Sequence, residues 1–204
     1  MGAYGNYTSN MSYWTYMTYM VIPPHGGYRN LQSYQMATIC YDFGLEFANK
    51  YITTRSRTHD QIVQALRSGK QNIVEGSMAS GTSKKTELTL LGVARASLEE
   101  ALQDAEDYIR QHHLQVWSKT DLRSHEIRNL AYKTDKSYTT YMTYLETPEF
   151  AANCLLCIIN QTNYLLDRQI QAVEKEFLEQ GGLSERLYKA RQSVRPSPHQ
   201  PRQN

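Results

Sequence analysis

Long apolar runs and pairable cysteines are scarce in this chain of 204 residues. No apolar run approaches the roughly 20 residues that a membrane-spanning helix needs, and the first residues lack the basic and apolar stretches of a signal peptide. The three cysteines, Cys40, Cys154 and Cys157, cannot all pair with one another, and each falls in an apolar helical pattern. We therefore expect reduced thiols and a cytoplasmic protein with no membrane contact.

Catalytic and metal-binding motifs are scarce as well. Cys154 and Cys157 have CxxC spacing, but a zinc site usually needs two such pairs, and this pair lies inside a helical pattern rather than at a helix start. The histidines show no i, i+4 pair, and no serine, cysteine or carboxylate has a recognisable base beside it. We expect core packing for the CxxC cysteines, no catalytic or metal-binding residues, no cofactor and no enzymatic activity.

Charge is unevenly distributed along the chain, although the net charge is only +2. Arg29 is the one charged side chain in residues 1–30, which are rich in tyrosine. Residues 183–204 carry five arginines or lysines against Glu185 alone, so the remainder of the chain sums to about −2. A net charge this small does not by itself imply nucleic-acid binding, so the distribution of charge is more informative.

Hydrophobic periodicity predicts four long helices. Thr58 and Gln61 have capping-box spacing at the start of the second, Thr147-Pro148 begins the last, and Gly181-Gly182 ends it. A shorter helix is expected near residues 122–132. With little strand signal, the sequence predicts an all-α fold, an up-and-down antiparallel four-helix bundle. The predicted divisions are a Tyr-rich extension (1–30), the bundle (31–182) and a basic C-terminal helix and tail (183–204).

Two tyrosine-rich phrases of high β-propensity recur at residues 13–22 and 138–144. They could pair as a small ribbon, within one subunit or between subunits. Chance similarity between two partly ordered loops is the alternative, and it is the one we favour.

Glycines and polar residues occupy unusual positions in two of the predicted helices. Gly69 and Gly76 lie seven residues apart on the apolar face of the second helix, where they would allow a close helix–helix approach. Polar residues interrupt the apolar middle of the last helix and need partners if they are buried. We favour a structural network or subunit contact over a functional pocket. The interrupting residues are Asn160, Gln161 and Asn163, and the possible partners on the second helix are Arg67, Asn72 and Glu75.

The loop at residues 76–83 is followed by Lys84 and Lys85 at the start of a helix, where the macrodipole disfavours cations. Exposed N–H groups, small residues and two cations suit a phosphate. Alternatively, the lysines offset the C-terminal dipole of the preceding helix and the charge of Glu75. The sequence favours neither interpretation.

The C-terminal tail combines cations with an aromatic neighbour, a composition found in segments that contact phosphates and bases. Such tails also often do no more than solvate a terminus. The candidate nucleic-acid-binding residues of the tail are Arg186, Lys189, Arg191 and Arg195.

Residues 72–76 (NIVEG), with Arg67 upstream, resemble the helix end typical of the four-helix-bundle family encoded in intervening sequences of bacterial 23S ribosomal RNA genes. The fuller pattern is similar to the subgroup with a four-helix-bundle suffix domain. Its other matching phrases are residues 28–35 (YRNLQSYQ), 94–100 (ARASLEE), 161–167 (QTNYLLD) and 181–186 (GGLSER).

This resemblance implies a bundle that assembles into a ring, commonly a homopentamer, without catalytic activity. A related protein is the accessory variability determinant of diversity-generating retroelements, a basic pentameric barrel that binds nucleic acid and a reverse transcriptase. We therefore expect an oligomeric scaffold that binds RNA or DNA, a reverse transcriptase, or both. The alternative is a protein-interaction ring without a nucleic-acid role, which the slightly acidic body favours.

Overall fold

The computed structural model describes Ile22 and residues 24–193, and this part of the chain is all-α, with no strand in it. Two 3-10 segments, Tyr28–Asn30 and Tyr138–Leu145, accompany the α-helices. In this described part, no helix is both long and apolar enough to cross a bilayer. The α-helices are α1 (Gln32–Tyr51), α2 (Arg57–Ala79), α3 (Lys84–Gln111), α4 (Leu122–Leu130), α5 (Pro148–Gln180) and α6 (Leu183–Ser193).

Four long helices supply most of the core. Helix α1 packs against α2 and α5, and α3 packs against the same two helices. Ion pairs from Lys84 to Glu176 and from Arg95 to Asp167 show that α3 and α5 run in opposite directions. Each of the four helices contributes fully buried apolar side chains, among them Phe43, Phe47, Ile62, Leu66, Leu91, Leu98, Leu155 and Leu166.

Side-chain caps fix where the helices begin. The predicted capping box at Thr58 is wrong, because the N-cap of α2 is Ser56, whose side chain accepts a hydrogen bond from the Thr58 N–H. The predicted start of α5 is confirmed, since Thr147 accepts from the Phe150 N–H and Pro148 occupies the first turn. Gly181 ends α5 with a φ of 74°, a conformation that favours glycine.

Helices α2 and α3 approach each other closely at Gly69. A Cβ atom there would lie 2.7 Å from Leu98 Cγ, so any side chain would have to displace Leu98. Gly76 is less confined, because its nearest such neighbour is the Glu87 carbonyl oxygen at 3.4 Å. The close approach predicted from the glycine spacing is therefore present, and it is tightest at Gly69.

The ribbon considered for residues 138–144 does not form, since Tyr138–Leu145 is a 3-10 helix. Its turn buries Tyr141 and Leu145 on the body of the protein, with the Tyr141 ring 6.4 Å from that of Phe43. Burying these two residues on one side outweighs the β-propensity of the segment. Most of its supposed partner, residues 13–21, lies outside the described residues.

Candidate nucleic-acid interface

Lys84, the first residue of α3, is enclosed in an internal ion-pair cluster. Its Nζ lies 3.0 Å from Glu87 Oε2 and 2.9 Å from Glu176 Oε2, and only 8% of the residue is exposed. Burial lowers the pKa of Lys84, but hydrogen bonds and charge from Glu176 and Glu87 together raise it above its usual value. Burial raises the pKa of Glu87, and Lys84 offsets part of that rise.

The partners of Lys84 differ from those considered in the sequence. Glu75, on α2, is exposed, and the ammonium group pairs instead with Glu87 on its own helix and Glu176 on α5. The Lys84–Glu87 pair has i, i+3 spacing and was visible in the sequence. The contact with Glu176 joins residues 92 apart and depends on how α3 and α5 pack. Lys85, by contrast, is exposed beside the turn.

Helix α6 lies against the turn between α2 and α3. The Arg186 guanidinium donates a hydrogen bond to the Gly81 carbonyl oxygen at 3.1 Å. Lys189 and Arg191 are exposed on the same short helix, as is Tyr188. The structure thus brings together two basic features that are a hundred residues apart in sequence, namely the Lys85 turn and the tail. Arg195, the remaining predicted tail residue, lies outside the described residues.

A strap formed by residues 24–31 contacts the same turn from another side. The Gly26 N–H donates to the Ser77 carbonyl oxygen at 3.1 Å. The His25 ring packs so closely on Gly81 that a Cβ there would lie 2.6 Å from Nδ1. Gly81 therefore contacts both the strap, which follows the Tyr-rich segment, and α6, which precedes the rest of the basic tail. We call this region, residues 80–85 with α6 and the strap, the Gly81 end.

Several glutamates also lie near the Gly81 end, and most have partners of their own. Glu176 pairs with Lys84. The Glu185 carboxylate accepts the Gly182 N–H at 3.0 Å, and Glu179 lies 3.9 Å from the Lys175 Nζ. These interactions reduce the negative charge that the exposed cations of α6 experience, although the region is not purely basic.

The polar residues of α5 do not form the predicted network with α2. Asn160 donates to the Leu156 carbonyl oxygen within its own helix, and Gln161 donates to the Arg128 carbonyl oxygen of α4. On α2, Asn72 donates to the Ser68 carbonyl oxygen and Arg67 is exposed. The pairing across helices is wrong because α5 packs mainly against α1 and α3, while α2 packs against the other faces of those two helices.

Asn163 remains without a partner although it is only 4% exposed. Neither its Nδ2 nor its Oδ1 makes a hydrogen bond with the described residues. The polar groups predicted to need partners are thus only partly satisfied within one copy of this part of the chain.

The CxxC cysteines belong to the core, as predicted from their position in an apolar pattern. Cys154 is fully buried, and Cys157 is partly buried against the same core. Burial raises the pKa of both thiols, which disfavours the reactive thiolate. Within the described residues, no three His, Cys, Asp or Glu side chains come together as a metal site requires.

The second half of α3 presents an acidic surface far from the Gly81 end. Glu100, Glu106 and Asp107 are exposed, although Asp107 pairs with Arg110 at 2.8 Å, and Glu99 pairs with Arg95 at 2.6 Å. Burial raises the pKa of Asp104, and the neighbouring charges of Glu100 and Asp107 raise it further. Helix α3 therefore begins with two lysines and carries most of its carboxylates in its second half, which also holds Arg110.

Comparison with known proteins gives no match, because no family model, no curated protein and no solved structure is significantly similar to this chain. The resemblance described for residues 72–76 and the associated phrases consequently rests on those motifs alone.

Proposed function

We propose that the chain is a non-enzymatic, oligomeric scaffold whose Gly81 end binds nucleic acid. The observation that carries this proposal is the hydrogen bond from Arg186 to the Gly81 carbonyl oxygen, which holds α6, with exposed Lys189 and Arg191, beside the turn that leads to exposed Lys85. Exposed cations on separate elements that meet at one surface can contact several phosphates of one strand. The prediction that Lys84 binds nucleic acid is wrong, because this lysine is buried and its charge is taken up by Glu87 and Glu176.

The proposed scaffold is built on an up-and-down antiparallel four-helix bundle of α1, α2, α3 and α5. Each of these helices packs against two of the others, as neighbours around a bundle do, and the connections from α1 to α2 and from α2 to α3 are short. Bundles of this type expose one face of each helix, which leaves room for contacts between copies. The motif resemblance favours a homopentameric ring that acts beside a nucleic-acid enzyme such as a reverse transcriptase of a diversity-generating retroelement.

Binding is tested by fluorescence anisotropy with labelled RNA and DNA across a salt series. The triple variant Lys85→Glu, Lys189→Glu, Arg191→Glu is expected to weaken binding and to flatten the dependence of log affinity on log salt, by about 0.7 to 0.9 for each phosphate that the variant no longer neutralises. The matched control is Lys119→Glu with Lys133→Glu, two exposed lysines in the connection between α3 and α5. Equal losses of affinity in both variants would point to nonspecific charge, and no binding at low salt would refute the proposal.

The ring is tested separately by light scattering coupled to size exclusion. A mass of five subunits, at 23.6 kDa each, is the expected result. A monomer across the accessible concentration range would contradict the oligomeric part of the proposal and leave the nucleic-acid part to the anisotropy measurement.

A protein-interaction ring is the second candidate, and the acidic face of α3 favours it. Glu100, Glu106 and Asp107 are exposed on one half of that helix, and a face of this charge would repel phosphate and attract a basic partner. Reversing the three charges to lysine should abolish capture of such a partner and leave nucleic-acid affinity unchanged or increased. If the wild type captures RNA in abundance and no protein, this second candidate is excluded.

A further inference from the structure

An exposed aromatic ring lies among the cations of α6. Tyr188 is 64% exposed and is followed directly by Lys189 and, one helical turn later, by Arg191. Its hydroxyl accepts a hydrogen bond from Gln192 Nε2 at 2.6 Å, which engages the polar edge of the ring. No residue of α6 belongs to the buried core of the described structure, so the core does not account for the position of Tyr188.

Aromatic rings and cations together recognise a particular form of nucleic acid. Every base has a π-face on which an aromatic side chain can stack, but in a duplex those faces are already covered by neighbouring bases. Cations alone bind the phosphates of single strands and duplexes alike, and duplex DNA carries the higher charge density. A site that adds exposed rings to cations therefore gains affinity for single strands specifically.

We propose that the Gly81 end binds single-stranded nucleic acid, with Tyr188 stacking on a base while Lys85, Lys189 and Arg191 contact the flanking phosphates. This inference rests on the proposed function and specifies its ligand. Stacking does not depend on the sugar, so the site can bind RNA or DNA by the same chemistry. Measuring a labelled RNA strand and a labelled DNA strand shows which of the two binds more tightly.

The test compares a labelled single strand with a duplex of the same length, using the full chain. Tyr188→Ala is expected to weaken single-strand binding about 5- to 150-fold, the range that corresponds to losing one stacked base. The salt dependence should stay unchanged, because every phosphate-binding cation is still present. Tyr188→Phe keeps the ring and should bind within about 2-fold of the wild type. Duplex affinity should be the same in all three proteins.

Tyr132→Ala is the matched control, because Tyr132 is 84% exposed but belongs neither to α6 nor to the turn at residues 80–85. It should leave single-strand affinity unchanged.

The outcomes separate this inference from the proposed function. If the lysine and arginine reversals weaken binding but Tyr188→Ala does not, the nucleic-acid function stands and the stacking inference falls. Equal or tighter binding of the duplex by the wild type also overturns the inference. If the wild type binds neither probe at low salt, both proposals fail together.

Discussion

The two ends of the helical body are closed in different ways. At the Gly81 end, the turn between α2 and α3 is too short to pack apolar side chains over the end of the helices. The buried ion pairs of Lys84 join α3 to α5 there. At the opposite end, which we call the aromatic end, residues 112–147 leave α3 and lead into α5 as a long connection that contributes its own aromatic core. There, the Trp117 ring lies edge-on to Phe150 at 4.8 Å, and Arg123 lies 4.0 Å above Trp117.

The two ends therefore differ both in the interactions that stabilise them and in the groups that they expose to solvent. The long connection buries Trp117, Ile127 and Tyr141, whereas the Gly81 end exposes Lys85, the cations of α6 and the Tyr188 ring. At the Gly81 end, ion pairs and backbone hydrogen bonds hold the structure, so its exposed cations and the Tyr188 ring remain available to a ligand. The predictions below test whether charge at one end and packing at the other have these separate roles.

Replacing Lys84 should have the largest effect at the Gly81 end. Lys84→Glu places a third carboxylate beside Glu87 and Glu176, so we expect a loss of about 3–5 kcal/mol or more in the free energy of unfolding. Lys85→Glu, one residue away and exposed, should change it by no more than about 0.5 kcal/mol. Urea unfolding followed by circular dichroism measures both variants.

Similar effects of the two lysine variants would contradict the internal role of Lys84. Lys84→Met with Glu87→Gln is the informative companion, because it removes the buried charges together. This double variant should recover most of the lost stability.

Replacing Tyr141 should have a comparable effect at the opposite end. Tyr141 is fully buried, so Tyr141→Ala should cost about 3–5 kcal/mol of unfolding free energy through the cavity it leaves. Its hydroxyl has no hydrogen-bond partner among the described residues, so Tyr141→Phe should leave stability unchanged or raise it by about 1 kcal/mol. A marked loss of stability in Tyr141→Phe would show that the hydroxyl has a partner in solution.

Much of this fold was predictable from local sequence signals. Periodicity placed all four long helices, and Thr147-Pro148 and Gly181 marked the ends of α5, because caps depend on residues close in sequence. The 3-10 form of Tyr138–Leu145 was not predictable, since its conformation follows from burying Tyr141 against helices distant in the chain. Propensity alone favoured a strand there, and tertiary packing outweighed it.

The candidate site was predictable as a set of residues but not as an arrangement. Lys85 and the basic tail were recognisable from composition, whereas the contact of Arg186 with Gly81 joins residues 105 apart and depends on the direction in which α5 ends. The burial of Lys84 was missed for the same reason, because Glu176 reaches it only when α3 and α5 pack together. Long-range pairing of this kind has no signal in a single sequence.

Alkaline pH should destabilise the protein through buried groups that the fold keeps protonated. Burial raises the pKa of Cys154, Cys40 and Tyr141 above their ordinary values of 9.0 for a thiol and 10.0 for a phenol. The unfolded chain therefore loses these protons first. The stabilisation is fully present below the unfolded pKa values and is lost as pH rises through the folded ones, by up to about 1.4 kcal/mol per pH unit for each group.

Urea midpoints measured from pH 8 to pH 10.5 test this dependence. Tyr141→Phe should reduce the loss of unfolding free energy per pH unit near and above pH 10, where the phenol contributes. The loss near pH 9, which comes from the thiols, should stay unchanged. A flat profile over the whole range would mean that these groups ionise as readily in the folded protein as in the unfolded chain.

The smallest expected effect concerns the strap. A Cβ at Gly81 would lie 2.6 Å from His25 Nδ1 and 3.1 Å from its Cβ, so Gly81→Ala must displace the strap rather than only rotate the ring. Because the strap is a local element, we expect global stability to change by less than about 1 kcal/mol. The Gly26 N–H, which donates to Ser77, should exchange its hydrogen faster.

Gly27→Ala is the matched control for Gly81→Ala, because a Cβ at Gly27 meets nothing within 4 Å. It should leave the exchange of the Gly26 N–H unchanged. If Gly81→Ala instead lowers global stability as much as Tyr141→Ala does, the strap is part of the cooperative core. The Gly81 end would then be closed as firmly as the aromatic end, and the separation of a stabilising end from a binding end would not hold.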